Sequence, residues 1–136
     1  MSYLLFDIGG TKTRVAVSED LESFGEAVSF KTPGKFEDGL QKVWDAAQKL
    51  AGSDIEAAAG GIRGRLDEAK TGLENDGILK KWAGKSIVES LQGFAGSEIP
   101  VFLENDTAVA GVGEANYGAG KGLEIVAYHT VSTGVG

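Results

Sequence analysis

The chain has 136 residues, 42% of them hydrophobic, enough for one domain with a real core and too few for two. Twenty acidic against 13 basic residues give a formal charge of -7, which repels phosphodiester backbones and removes DNA and RNA from the expected partners. Cysteine is absent, no apolar run reaches membrane-spanning length and Met1 to Phe6 lacks the basic start of a signal peptide, so a cytoplasmic protein without disulfides or membrane contacts is expected.

In chain order, Tyr3 to Ile8 alternates with strand periodicity: Leu4, Phe6 and Ile8 share one face, Tyr3, Leu5 and Asp7 the other. Gly9-Gly10 reads as a tight hairpin turn into a second strand from Thr11 to Ser18, and Glu26 to Thr32 reads as a third. Pro33-Gly34 breaks that strand. Phe36, Leu40, Val43, Trp44, Ala47 and Leu50 then recur at helical spacing, predicting a helix over residues 35–51 closed by Gly52. Ile55 to Ile62 is small and apolar, as in a parallel strand buried on both faces. Gly64 to Trp82 reads as an excursion with a short hairpin, Ser86 to Phe94 as a short helix, and Ile99 to Leu103 as a strand. Thr107 to Asn116 is helix-compatible, with Asn105 or Asp106 as N-cap. After a glycine-rich bend at 118–122, Glu124 to Val131 reads as a further strand. The order predicts an α/β domain: a mixed sheet of three antiparallel N-terminal strands followed by parallel strands with right-handed crossover helices.

Ligands of such sheets sit beyond the carboxyl ends of the strands, and Asp7 and Asp106 both fall at such ends. Around Asp7, the small residues of Asp7-Ile8-Gly9-Gly10-Thr11-Lys12-Thr13 let backbone N–H groups of Gly10 and Thr11 approach phosphate oxygens, with Thr11, Thr13 and Lys12 side chains adding contacts. Asp7 suits Mg2+, directly or through water. Read alone, the diglycine is also a plain hairpin turn. In Glu104-Asn105-Asp106, a carboxylate at a helix N-terminus is placed to orient a hydroxyl for phosphoryl transfer, and Asn105 offers a donor and an acceptor to a sugar; read alone, this is also a plain N-cap. Thr130 to Gly136 repeats the pattern of a strand running into a hydroxyl-and-glycine turn, or is simply a glycine-rich terminus.

Taken together, Asp7-Ile8-Gly9-Gly10-Thr11-Lys12, Leu103-Glu104-Asn105-Asp106-Thr107-Ala108 and Ser132-Thr133-Gly134-Val135-Gly136 resemble, in order and spacing, the ROK family of sugar kinases and repressors. That family lies within the actin, hexokinase and Hsp70 class of ATPases. The resemblance implies a ribonuclease H-like, actin-like ATPase lobe over residues 1–122, with 123–136 as the start of a second lobe. It implies ATP and Mg2+ as cofactors, Asp7 at the metal, and Gly9, Gly10, Thr11, Lys12, Thr133 and Gly134 at the phosphates. It further implies Asn105 and Asp106 as sugar ligands, with Asp106 as the base that accepts the sugar hydroxyl proton. Two departures stand out. Gly61-Ile62-Arg63-Gly64 has arginine where the family commonly has proline, and the chain ends where the second lobe, with the family's histidine and cysteine zinc cluster, would follow, so no zinc is expected here. His129, the sole histidine, does not match that cluster. With no winged-helix segment ahead of Met1, the repressor branch is not expected. The leading expectation is an ATP-dependent hexose kinase lobe, either a fragment of a longer kinase or a half-kinase that pairs with itself as a homodimer. The alternatives are a non-catalytic nucleotide-binding or assembly module and an inactive fragment of a two-lobe kinase.

Overall fold

A computed structural model describes residues 1–52 and 54–131. Strands β1 (Ser2–Ile8), β2 (Lys12–Ser18), β3 (Val28–Lys31), β4 (Ile55–Ile62) and, beyond a small excursion, the strand Val101–Asn105 form one sheet. The excursion carries β5 (Arg65–Leu66) and β6 (Leu73–Asn75), so Val101–Asn105 is β7, and the sheet order is β3-β2-β1-β4-β7. β2 runs antiparallel to both β1 and β3, while β1 with β4 and β4 with β7 are parallel, as the element order predicts.

Helix α1 (Phe36–Ala51) returns the chain from β3 to β4, and its stripe of Phe36, Leu40, Val43, Trp44 and Ala47 is buried against the sheet. Glu37 and Asp38 in its first turn and Lys49 in its last complement the helix dipole, and Gly52 at φ 70° ends it. Helix α2 (Ile87–Ala95) starts where Ser86 Oγ accepts the Glu89 N–H at 3.1 Å and stops at Gly96 in the left-handed region. The two helices meet through Trp44 and Phe94, stacked with centroids 5.9 Å apart. Trp82 is the anchor of the excursion. Its indole N–H donates to Pro33 O at 3.1 Å and its ring meets Phe36 edge-on. A methyl group at Gly39 would lie 2.3 Å from that ring, so the mid-helix glycine exists to admit the tryptophan.

Four expectations need correction. The diglycine does not form a two-residue hairpin: Ile8 pairs with Thr13, leaving residues 9–12 as a wider loop, and neither glycine has positive φ. Both are required for close approach instead, since a methyl at Gly9 would lie 2.9 Å from Lys12 O. β4 is not buried on both faces. Ala57 and Ala59 are half-buried, because α1 and α2 cover only the opposite side of the sheet and α3 (Asp106–Tyr117) reaches only its carboxyl end. Finally, the strand expected at 124–131 does not form: residues 125–130 carry no regular structure and Ile125 is 89% exposed. A lone strand has no ladder to satisfy its backbone, and among the described residues, 125–130 pair with no neighbouring strand. β7 also begins two residues later than expected, after Pro100, whose carbonyl accepts the Ala58 N–H.

Candidate active site

The carboxyl ends of β1, β4 and β7 lie in register. Asp7 is level with Gly61 and Glu104, and Ile8 with Ile62 and Asn105. Because three parallel strands end together, the loops after them converge on one rim of the sheet. Gly61 lets the rim close up: a methyl there would lie 3.0 Å from Asp106 Cα, so only glycine allows the first residue of α3 to sit against β4.

Asp7 and Asp106, remote in sequence, meet at this rim. Burial pushes the Asp7 carboxyl up, the Arg14 guanidinium 3.8 Å away pulls it back, and the charge of Asp106 raises it again. Half of the Asp7 side chain remains in water. Asp106 Oδ1 accepts the Thr107 N–H at 2.8 Å, which fixes the carboxylate at the start of α3 with its second oxygen unengaged among the described residues.

The loop after β1 is held from behind. Thr32 Oγ1 donates to Gly9 O at 2.8 Å and lies 2.8 Å from Thr13 Oγ1. A hydroxyl has one proton, so Thr13 must donate to Thr32. Thr13 is thereby spent inside the sheet and is not the phosphate contact that its hydroxyl suggests in the sequence. Thr32 N–H also donates to Thr11 O at 2.9 Å, and Gly9 N–H to Lys12 O at 3.0 Å. The N–H groups of Gly10 and Thr11 have no acceptor among the described residues, and Thr11 and Lys12 are exposed. Two unpaired backbone donors on a tied-down loop beside a carboxylate fit an anionic ligand carrying a magnesium ion that keeps part of its water shell.

Asn105 is the N-cap of α3, the choice left open between it and Asp106. Its Oδ1 accepts the N–H groups of Thr107 and Ala108 at 3.0 and 3.4 Å, and its Nδ2 donates to Gly64 O at 3.0 Å. One amide hydrogen is left for a ligand. Glu104, beside it, pairs with Lys70, and that hydrogen bond holds its carboxyl below the ordinary range. Lys70 enters the rim from the excursion at φ 54°, and nothing in its own sequence neighbourhood pointed there. Arg63 is the other side chain that only the fold brings in: it lies over Gly10. Thr133 and Gly134 lie outside the described residues.

Below the rim, the uncovered face of the sheet forms a groove of about 740 Å³ lined by Leu5, Ala16, Ala59, Phe102 and Val109, with Asp7 and Glu104 at its carboxyl end. Among the described residues no three His, Cys, Asp or Glu side chains cluster as a metal site, and no helix is long and apolar enough to cross a membrane.

Comparison with known proteins places these features in context. The ROK family matches residues 3–136. A glucokinase from Pyrobaculum calidifontis is 32% identical over 134 residues, covering 98% of this chain and 41% of that protein. A glucokinase from Halalkalibacterium halodurans is 30% identical, again with 98% of this chain and 42% of the relative covered. Among solved structures, a ROK family glucokinase from Streptomyces griseus in complex with glucose and AMPPNP superposes with a TM-score of 0.77 at 26% identity, over 90% of this chain and 38% of that one. The ROK hexokinase from Thermus thermophilus gives 0.75 at 29% identity over all of this chain and 45% of that one. The chain thus spans about two-fifths of the length of these relatives.

Proposed function

Because the chain belongs to the ROK family, we propose that it is the N-terminal lobe of an ATP-dependent sugar kinase that transfers the γ-phosphoryl group of ATP to a hexose hydroxyl. In this reading residues 1–122 are the lobe and 123–136 begin the second one. The observation that carries it is the meeting of Asp7 and Asp106 beside a loop with two backbone donors that have no acceptor among the described residues. The glucokinase relatives support a hexose as acceptor.

Each group has a distinct task. Gly10 and Thr11 N–H groups, with Gly9 giving the loop its close turn, take phosphate oxygens; Lys12 and, as the resemblance implies, Thr133 and Gly134 add to the grip. Asp7 would hold a magnesium ion directly or through water, and such an ion would supply charge neutralisation at the phosphates. Asp106 accepts the proton of the sugar hydroxyl as its oxygen attacks phosphorus and ADP leaves, while Asn105 uses its remaining N–H on the sugar. Asp106 chiefly orients the hydroxyl, because phosphoryl transfer depends on positioning and charge stabilisation more than on a strong base. The opposite wall of the cleft comes from a second lobe, supplied by further polypeptide or by a second copy related by a twofold axis.

The test is to incubate the 136-residue chain with Mg-ATP and a panel of hexoses, following ADP and sugar phosphate by mass spectrometry and molecular mass by light scattering. Turnover is expected to vanish in Asp106→Asn while Mg-ATP binding survives. Turnover unchanged in that variant removes Asp106 from the mechanism, and a monomer without sugar-dependent ADP release removes the self-pairing form. One observation favours a second reading, a nucleotide-binding or assembly module without turnover: Asn105 already spends its oxygen and one N–H on α3 and Gly64. That reading predicts magnesium-dependent thermal stabilisation by ATP and no sugar phosphate.

A further inference from the structure

Arg63 leaves β4 at the point where its N–H donates to Ile8 O at 3.0 Å, so the backbone locks the residue to the end of β1. Its side chain then turns across the neighbouring loop. A methyl group at Gly10 would lie 3.0 Å from Arg63 Cδ and 3.2 Å from Nη1, which puts the guanidinium directly against the diglycine. The head group is held from one side only. Its buried Nε has no hydrogen-bond acceptor among the described residues and faces Asp76 Oδ1 at 3.5 Å.

Asp76 is a rigid anchor. It is 7% exposed, and its Oδ2 accepts the N–H groups of Ile78 and Leu79 at 3.1 and 2.7 Å. An arginine engaged through Nε keeps the two outer nitrogens as a planar fork, the arrangement that takes two oxygens of a phosphoryl group at once. Among the described residues Asp76 is the only carboxylate within ion-pair distance of the guanidinium, and it faces Nε and not the fork. A charged fork packed on a glycine whose own N–H has no acceptor among the described residues is a half-satisfied arrangement that an oxyanion would complete.

We propose that Arg63 binds a phosphoryl oxygen of the ligand seated in the 9–12 loop, with Asp76 as the positioning residue that aims it. This rests on the nucleotide reading above and adds to it a cation from the loop where the family commonly carries an uncharged, stiff proline. The arginine extends the phosphate grip from the β1–β2 loop to the β4–β5 loop, so the two loops act on one anion.

The test measures binding of Mg-ATP, inorganic tripolyphosphate and adenosine to wild type, Arg63→Ala, Arg63→Lys and Asp76→Asn by titration calorimetry at low and high salt, with circular dichroism confirming the fold of each. Arg63→Ala is expected to weaken Mg-ATP and tripolyphosphate about 10-fold or more and to flatten their salt dependence, leaving adenosine unchanged. Arg63→Lys and Asp76→Asn should fall between, the first keeping charge without the fork and the second keeping the fork without its aim. Mg-ATP affinity equal in wild type and Arg63→Ala overturns the assignment and leaves the nucleotide reading standing. Arg63-dependent tripolyphosphate binding without any preference for Mg-ATP does the reverse, and a wild-type chain that binds neither overturns both.

Discussion

Asp7 carries a carboxylate that folding makes harder to ionise. Desolvation is the main cause, and Asp106 adds to it against the partial relief from Arg14. A carboxyl raised in the folded state binds its proton more tightly there than in the unfolded chain. Its contribution to stability is therefore present below the unfolded value, near 3.8, and is lost as pH rises through the folded one. At neutral pH the ionised group is a net cost, a small one because half of the side chain is still solvated, and the exposed Arg14 pair offsets little of it. Asp7→Asn should thus melt at an equal or slightly higher temperature than wild type at pH 7 without ligand, and should lose the magnesium-dependent part of nucleotide binding. A lower melting temperature at pH 7, recovered at pH 3, would show instead that the charge of Asp7 stabilises the fold. Asp20 shows the opposite arrangement in the loop after β2. Backbone N–H groups of Ser23 and Glu22 and the Ser23 hydroxyl hold its carboxyl down to about 2, so this turn keeps its ties until strongly acid pH.

At the scale of elements, the distance between α3 and β4 sets where Asp106 stands. Gly61 is the spacer. Adding one methyl there meets the backbone of Asp106 at 3.0 Å and the Val109 side chain at 3.4 Å, and the helix start must shift by a few tenths of an ångström. Gly61→Ala is expected to lose about 1–3 kcal/mol of stability. It should also reduce sugar-dependent turnover by much more than it weakens Mg-ATP binding, because Asp106 moves and the 9–12 loop does not. Chemical denaturation and the calorimetric titration check the two halves of this expectation. The excursion that carries Arg63, Asp76 and Lys70 is tied to α1 through Trp82, so these side chains are placed by a core contact and not by their own two-stranded sheet. Trp82 is 1% exposed and belongs to the core.

For the molecule as a whole, one face of the sheet is covered by α1 and α2 and the other is left to solvent over the groove, where Phe102 is 68% exposed. Since that ring is already in water, Phe102→Glu should change stability by no more than about 0.5 kcal/mol while reducing the binding of a dye that reports exposed apolar surface. A large loss of stability would mean that the face is packed in solution. Much of this architecture was legible in the sequence. Period-2 alternation in Tyr3 to Ile8, the 3.6-residue stripe from Phe36 to Leu50 and the glycine stop at 52 are local signals, and local hydrogen bonding and amphipathicity make them true wherever the segment lands. Three motifs in order likewise sufficed for the ROK resemblance, and the family match bears it out. The strand read at 124–131 failed because a strand needs a neighbour, which no local pattern supplies. What the sequence by itself determined is therefore most of the elements through α3, their order and the family. Tertiary structure alone decided that Thr13 turns inward, that Asn105 and not Asp106 caps α3, that glycines 9, 10 and 61 serve close approach, and that Arg63 reaches Gly10. Each of these depends on which strands become neighbours and in what register, a property of long-range pairing that no single segment carries.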